Sequence, residues 1–343
     1  MTRLFRCTAP AAAAFALVFA AGAQAQSNVQ IYGLVDMSAG RFQTSGAPAV
    51  YRADSGNMST SYLGFKGTED LGGGLKAKFA IEHFLRLDSG SAGRFNGDAF
   101  WARSAYVGLQ GAFGSSTLGR NTTPLFVSEL IFNAFGDSFG FSPTIRQVFT
   151  PSLPSRPFFG DTGWNNSLAY SSPSTGGASF NLLGNLGEGS AGSTGKNVSA
   201  NVLYFAGPLS GTLAWQRVHN GMGGTVPAFF RYQDAWNAGA AYDLTVVKLY
   251  AQFTQVKTKA AASNRTTING FGAAVPLGAG KLLGQYGFAK STIGGLKTTH
   301  KNLTTGYDYN LSKSTDVYAV YMYDKISRQE KGQTVAAGVR LRF

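Results

Sequence analysis

The segment Thr334-Val-Ala-Ala-Gly-Val-Arg-Leu-Arg-Phe343 alternates between two kinds of side chain and decides the fold. One face carries Val335, Ala337, Val339, Leu341 and Phe343, and the other carries Thr334, Ala336, Gly338, Arg340 and Arg342. This alternation predicts a β-strand with one apolar face. In a transmembrane barrel the apolar face contacts lipid, the polar face contacts a wet interior, and aromatic residues lie at the interface. The segment therefore predicts one strand of a membrane-spanning β-barrel.

The same alternation recurs along the chain between turn signals rich in Gly, Pro and Asp. It predicts sixteen strands, near 29–42, 59–69, 75–85, 100–110, 115–120, 165–172, 178–185, 197–206, 209–218, 235–243, 246–257, 266–275, 281–290, 299–310, 314–324 and 334–343. Short turns alternate with longer loops, as they do between the two ends of an outer-membrane barrel. We therefore predict an all-β fold, a transmembrane antiparallel β-barrel of about sixteen strands that forms one domain over residues 26–343.

The first 25 residues have the features of a removable export signal. Arg3 and Arg6 precede an apolar stretch over 9–21, and Ala23-Gln-Ala25 provides a cleavage site of small residues. The sequence contains one cysteine, Cys7, which leaves with this signal. The exported chain is therefore expected to have no disulfide and no thiolate metal site.

The composition suits a barrel wall and argues against nucleic-acid binding. Only 14% of residues are charged, against about a quarter in soluble domains, while 13% are aromatic and 45 are glycine. The net charge is +13, but the basic residues are scattered singly among the strands without a recognition motif. We predict an outer-membrane location with lipid and lipopolysaccharide as surroundings, and no nucleic-acid partner.

Alternation also predicts which charges face the interior. A Lys or Arg on the lipid face near the bilayer midplane costs about 2–4 kcal/mol, so the polar face of each strand is expected to line the lumen. A barrel of this size encloses a water-filled channel. The basic residues predicted to line it are Lys66, Lys76, Lys78, Arg340 and Arg342.

Several segments, taken in order, resemble a known family. They are Val29-Gln-Ile-Tyr-Gly-Leu-Val-Asp36, Leu63-Gly-Phe-Lys-Gly-Thr-Glu-Asp-Leu-Gly-Gly-Gly-Leu-Lys-Ala77, Ala105-Tyr-Val-Gly-Leu109, Leu118-Gly-Arg120, Asn166-Ser-Leu-Ala-Tyr-Ser-Ser-Pro173, Tyr307-Asp-Tyr-Asn-Leu-Ser-Lys313 and Gly338-Val-Arg-Leu-Arg-Phe343. Together they resemble the general porins of Gram-negative outer membranes, most closely the β-proteobacterial branch.

This resemblance implies a homotrimer in which the second loop, here near 86–99, contacts a neighbouring subunit. It also implies that the long third loop, here 121–164, folds into the pore. Loop carboxylates, here Glu129 and Asp137, would face basic wall residues across a constriction. Arg103 and Arg120 match the family pattern, whereas Tyr62 and Asn165 stand where arginines are usual. The predicted constriction wall comprises Arg103, Arg120, Tyr62, Lys66, Lys76 and Lys78. Phe343 resembles the signal read by the outer-membrane insertion machinery.

The predicted function is passive diffusion of small hydrophilic solutes and ions with a modest anion preference. No cofactor, metal or catalytic activity is expected. The segment Gly136-Asp-Ser-Phe-Gly140 matches the letters of a nucleophile elbow. It lies in the middle of a loop, however, and therefore lacks the strand–turn–helix setting that the motif requires. Two alternatives remain open: a substrate-selective channel of the same fold, or a non-conducting structural or adhesive barrel.

Overall fold

The computed structural model describes residues 28–150, 158–186, 196–219, 229–262 and 264–343. The predicted export signal, residues 1–25, lies outside these ranges. The described strands are β1 Asn28–Phe42, β2 Val50–Ser55, β3 Tyr62–Gly72, β4 Leu75–Arg86, β5 Ser91–Ala92, β6 Ser104–Gly111, β7 Gly114–Thr122, β8 Gly163–Ser171, β9 Ala178–Asn185, β10 Val198–Ala206, β11 Leu209–Val218, β12 Tyr232–Asp243, β13 Lys248–Lys259, β14 Asn264–Leu277, β15 Gly280–Ile293, β16 Leu296–Asn310, β17 Thr315–Ile326 and β18 Gly332–Arg342. Two helices, α1 Pro124–Ile131 and α2 Pro143–Phe149, lie between β7 and β8.

The strands form a closed antiparallel barrel. β18 pairs with β1, with Leu34 opposite Arg342 and Arg41 opposite Val335. β2 and β3 pair with the two halves of β1 and share one barrel position, while β5 is a two-residue strand that pairs with the end of β4. The remaining strands pair in sequence order, so the barrel is sixteen-stranded and the predicted fold is confirmed.

The second barrel position differs from the prediction of one strand over 59–69. The structure has two strands, β2 and β3, with residues 56–61 between them, and β2 was not predicted. Gly56 begins the break with a φ of +72°, a left-handed conformation that glycine adopts without a Cβ clash. This break contacts the third loop, as described below.

The two faces of the barrel follow the predicted alternation. Leu213 and Ile31 on the outer face are 67% and 65% exposed, which suits contact with lipid. The tyrosines that precede short turns, Tyr204, Tyr242 and Tyr309, are also exposed on the outer face. None of the helices in the described ranges is long and apolar enough to cross a membrane.

Candidate pore constriction

The described part of the third loop contains two short helices that were not predicted. Thr123 caps α1 by accepting a hydrogen bond from Phe126 N, and Pro124 occupies the first helical position. Ser142 and Pro143 start α2 in the same way, with the serine hydroxyl accepting from Ile145 N. α1 packs on β9 to β12 and α2 packs on β14 to β16. The third loop therefore folds inside the barrel, as the resemblance implied.

Apolar side chains hold both helices to the inner wall. Leu125 of α1 is fully buried in a cluster with Ala214, Ala235 and Val256 of the wall. In α2, the buried residues Ile145, Val148 and Phe149 cluster with Ile268 and Ala289. Burying side chains of this size stabilises the docked loop by about 1.5–3 kcal/mol each relative to exposure in water.

The tip of the loop attaches to the break between β2 and β3. Gly140 N donates to Asn57 O at 3.0 Å, and the Ser138 hydroxyl donates to the same oxygen at 2.6 Å. Phe141 is fully buried, with its ring 6.1 Å from that of Tyr318 on β17. Because the loop covers β9 to β16 and reaches the second barrel position, the inner faces of β3, β4 and β6 form the opposite side of the passage.

Arg103, Tyr62 and Glu82 form the centre of that opposite side. The Arg103 guanidinium lies 3.9 Å from the Tyr62 ring centroid and forms an ion pair with Glu82. Tyr32 on β1 also donates its hydroxyl to Glu82 at 2.6 Å. Tyr62, which stands where the family usually has an arginine, thus contributes no charge but orients a neighbouring one through a cation–π contact.

The three predicted wall lysines lie on β3 and β4 between this cluster and the short turn that joins the two strands, at different distances from the cluster. Lys66 is opposite Ala80, with its ammonium 4.4 Å from the ring of Tyr32. Lys78 and Lys76 follow on β4, and Lys76 is opposite Asp70 beside a short turn. Six residues separate Glu82 from Lys76, or about 20 Å along a strand. The structure therefore connects Lys66 to the Arg103 cluster through Tyr32 but leaves Lys76 at the short-turn mouth.

Asp137 at the loop tip is linked to the wall through Ser59. The Ser59 hydroxyl donates to Asp137 Oδ1 at 3.0 Å and accepts from Arg340 Nη1 at 2.9 Å. Asp137 is only partly buried. Its carboxylate thus lies beside the break between β2 and β3, next to a serine that is three residues before Tyr62 in sequence.

Arg340 and Arg342 line the lumen but are paired with acidic residues. Arg340 is 3.0 Å from Asp316 and 3.1 Å from Asp308, and Arg342 is 2.6 Å from Asp316. These ion pairs offset most of the positive charge that the sequence placed on β18.

Lys66, Lys76 and Lys78 have no carboxylate within salt-bridge distance among the described residues.

Arg120 belongs to a different cluster from Arg103. Its guanidinium contacts Asp161 at 3.3 Å and Asn165 at 2.8 Å, while Asp161 also pairs with Arg94 at 2.9 Å. Although burial opposes ionisation, the Arg94 and Arg120 charges lower the pKa of Asp161. The cluster joins the loop after β4 to the end of the third loop, and its charges are balanced. We found no group of residues that could hold a metal ion within the described ranges.

Glu129 does not face the open lumen, contrary to the prediction. It is fully buried between α1 and the wall, where Thr254 Oγ1 donates to its Oε1 and Gln252 Nε2 donates to its main-chain oxygen at 2.8 Å. Among the described residues, its Oε2 and the neighbouring Asn237 Oδ1 have no hydrogen-bond partner. Burial raises the pKa of Glu129 from 4.5 to about 7. If Glu129 is protonated on Oε2, this O–H can donate to the Oδ1 of Asn237, so that both atoms gain a partner.

Docking of α1 is expected to weaken as the pH rises. Protonated Glu129 stabilises the docked loop fully below about pH 4.5, and this contribution is lost as the pH rises through about 7. The full loss is about 3 kcal/mol, because one pKa unit corresponds to 1.36 kcal/mol. Single-channel recordings at pH 5.5 and 8.5 should show more frequent current fluctuations at the higher pH. Glu129→Gln keeps a buried neutral side chain and should remove this dependence; an unchanged pH response would contradict this role.

A buried cluster of charged and polar side chains holds α2 in place. Arg146 of α2 donates to Gly140 O at 3.0 Å and lies 3.7 Å from Asp324, which also contacts His300 at 2.6 Å. This buried cluster anchors α2 and was not predicted.

Ser138 of the elbow-like motif is fully buried, and its hydroxyl donates to a main-chain oxygen. That environment supports a structural role for the motif.

Comparisons with known proteins agree with this architecture. The model of the Gram-negative porin family matches residues 11–329. Outer membrane porin protein 32 of Delftia acidovorans is 31% identical over 330 residues, which cover 89% of this chain and 86% of that protein. An outer membrane porin protein of Bordetella pertussis is 26% identical, with 97% of this chain and 98% of that protein covered. The anion-selective porin from Comamonas acidovorans has a TM-score of 0.76 at 28% identity, over 92% of this chain and 100% of that one. The chain therefore belongs to the Gram-negative porin family.

Proposed function

We propose that this protein is an outer-membrane channel for passive diffusion of ions and small hydrophilic solutes, with a modest preference for anions. The observation that carries the proposal is the third loop, which is docked inside a closed barrel opposite the cluster of Arg103, Tyr62 and Glu82. Fixed charges on both sides of a constriction select among ions in a wet pore.

The anion preference follows from the balance of paired and unpaired charges. Arg340 and Arg342 are paired with Asp308 and Asp316, so that end of the wall contributes little net charge. Lys66, whose ammonium lies 4.4 Å from the ring of Tyr32, adds a positive charge with no carboxylate within salt-bridge distance among the described residues. Asp137 opposes these charges from the loop, which keeps the expected preference modest. The similarity to a porin described as anion-selective supports the same sign.

Single-channel conductance in a planar bilayer tests the proposal. A stable ohmic conductance would support diffusion, whereas a silent barrel would favour the structural or adhesive alternative. A conductance blocked by one class of solute would favour a substrate-selective channel of the same fold.

Arg103→Ala is expected to reduce the anion preference. At physiological salt the screening length is about 8 Å, so only charges near the constriction act strongly on a passing ion. Lys76→Ala also removes one positive charge, but at a position about 20 Å along β4 from Glu82, the partner of Arg103. Its effect on the zero-current potential in a KCl gradient should be roughly tenfold smaller. Equal shifts from the two variants would show that overall charge, rather than the constriction, sets selectivity.

We also propose a homotrimer, as the resemblance implies. The loop after β4, which the resemblance assigns to contacts with a neighbouring subunit, is held in place by the pairing of Arg94 with Asp98 at 2.9 Å and with Asp161 at 2.9 Å. A loop with this fixed conformation can bind a neighbour at little entropic cost.

A further inference from the structure

Two lysines on the lumen wall have an aromatic ring as their partner instead of a carboxylate. The ammonium group of Lys66 lies 4.4 Å from the centroid of the Tyr32 ring, and that of Lys78 lies 5.9 Å from the centroid of the Tyr106 ring. Neither ammonium group has a carboxylate within salt-bridge distance in the described part of the chain. A cation within about 6 Å of an aromatic face is attracted by the ring, which carries no net charge.

These four side chains belong to one patch of the inner wall. Lys66 and Tyr106 are both cross-strand partners of Ala80, which is buried on the inner face. Tyr32 and Lys78 are each two residues along their strands from the same row of partners, so alternation places them on the same face. The patch spans β1, β3, β4 and β6 and therefore faces the docked third loop across the passage.

A carboxylate that could neutralise Lys66 lies within reach of it. Lys66 is opposite Ala80, so Glu82, two residues further along β4, is a diagonal neighbour of Lys66 on the same face. Diagonal neighbours in a sheet are about 7–8 Å apart, a distance that a lysine side chain can span. Tyr32 contacts both groups: its hydroxyl donates to Glu82 at 2.6 Å, and its ring carries the ammonium of Lys66.

Other basic residues of the lumen wall are paired with acidic ones. Arg103 forms an ion pair with Glu82, and Arg340 lies 3.1 Å from Asp308. An ion pair offsets the positive charge and uses N–H donors that could otherwise bind an anion. The contact between Lys66 and the uncharged ring does neither, and Lys66 is exposed on the lumen face. Its charge and its donors are therefore available to a passing anion.

We propose that Tyr32 is a positioning residue for ion selectivity: it holds Lys66 at the surface of the lumen and prevents its pairing with Glu82. Tyr106 has the corresponding role of holding Lys78. The inference rests on the proposed function, since selectivity exists only in a conducting channel. It makes two uncharged side chains determinants of the preference for anions.

The test compares Tyr32→Leu with Tyr32→Phe, and neither substitution changes the charge of the protein. Leucine removes the ring and the hydroxyl, so Lys66 should pair with Glu82. The anion-to-cation permeability ratio, obtained from the zero-current potential of a planar bilayer in a KCl gradient, should then fall about twofold, the order of effect of one screened charge near the ion. Phenylalanine keeps the ring beneath Lys66 and should retain the ratio of the unmodified protein.

A Lys66→Gln background distinguishes the contact with Lys66 from a change in the shape of the pore. In that background, Tyr32→Leu should leave the permeability ratio unchanged, because no ammonium group remains to pair with Glu82. An equal fall with and without Lys66 would assign the effect to pore shape and overturn the proposal. An unchanged ratio in Tyr32→Leu alone would also overturn it. An equal fall in Tyr32→Phe would do the same, because it would assign the effect to the hydroxyl.

Folding of the variants is checked by heat-modifiable migration. A Cβ at Gly64 would lie 2.9 Å from Tyr32 Cζ, so the tyrosine ring covers this glycine and its removal can affect assembly. If Tyr32→Leu does not fold, Tyr106→Leu with and without Lys78→Gln gives the same test at the second pair, with the same expected and contradicting results.

The same recordings distinguish failure of this inference from failure of the proposed function. An unmodified protein that does not conduct would contradict the proposed function and, with it, the role of Tyr32. A conducting protein that prefers anions but whose permeability ratio is insensitive to Tyr32→Leu would contradict this inference alone.

Discussion

Deletion of Phe343 is expected to prevent most barrel assembly while leaving the conductance of correctly inserted channels unchanged. Phe343 N donates to Gly33 O at 3.1 Å, and Gly33 N donates to Phe343 O at 3.0 Å. These bonds close the last strand against the first. A Cβ at Gly33 would lie 2.6 Å from Phe343 Cζ, so the ring rests directly on that glycine. Loss of the two bonds costs about 1–3 kcal/mol in the folded barrel.

The effect on assembly should exceed this stability cost, because we propose that the insertion machinery recognises the terminal aromatic residue. Phe343→Ala separates the two contributions, since it retains the main-chain bonds and removes only the ring. The measurement is the fraction of heat-modifiable protein in isolated outer membranes. Val339→Ala, on the same outer face of β18, provides a matched control for the loss of apolar surface. Normal assembly of the chain lacking Phe343 would contradict the prediction.

The barrel could be predicted because a strand in a membrane has few alternatives. Each residue faces either lipid or water, so the alternation in 334–343 is nearly sufficient to define β18. The split second position could not be predicted in this way. Within residues 56–61, the main-chain oxygen of Asn57 accepts hydrogen bonds from Ser138 and Gly140 of the third loop, which are about 80 residues away in sequence.

The constriction could be predicted less completely for a related reason. Periodicity shows which face a residue is on but not which charges meet there. Arg340 is on the lumen face as expected, yet its charge is offset by Asp308 and Asp316 from two other strands. The environment of Glu129 depends on Thr254 and Gln252 of β13, so its burial could not be inferred from the loop alone. The helices themselves had a local signal: Thr123 with Pro124, and Ser142 with Pro143.

Glycines on the inner wall make room for α2, and filling one of them should displace the loop. A Cβ at Gly270 would lie 2.3 Å from Thr144 Cγ2, and one at Gly287 would lie 2.6 Å from Pro143 Cβ. Thr144 also accepts a hydrogen bond from Gln285 at 3.1 Å, so the wall cannot simply move away there. Gly270→Val is therefore expected to weaken docking of α2 by about 1–3 kcal/mol, the usual cost of overpacking.

That cost corresponds to roughly a 5- to 150-fold fall in the equilibrium constant for docking. Single-channel recordings should show more frequent current fluctuations, and the loop should become more sensitive to added protease. Gly284→Val on β15 is the matched control, because a Cβ there meets nothing within 4 Å. Gly284 is directly opposite Ala273, and both residues lie on the outer face of the barrel. Its substitution should therefore leave the third loop, which is inside the barrel, unchanged. Equal effects from the two variants would show that strand flexibility, rather than the close contact between Gly270 and Thr144, holds α2 in place.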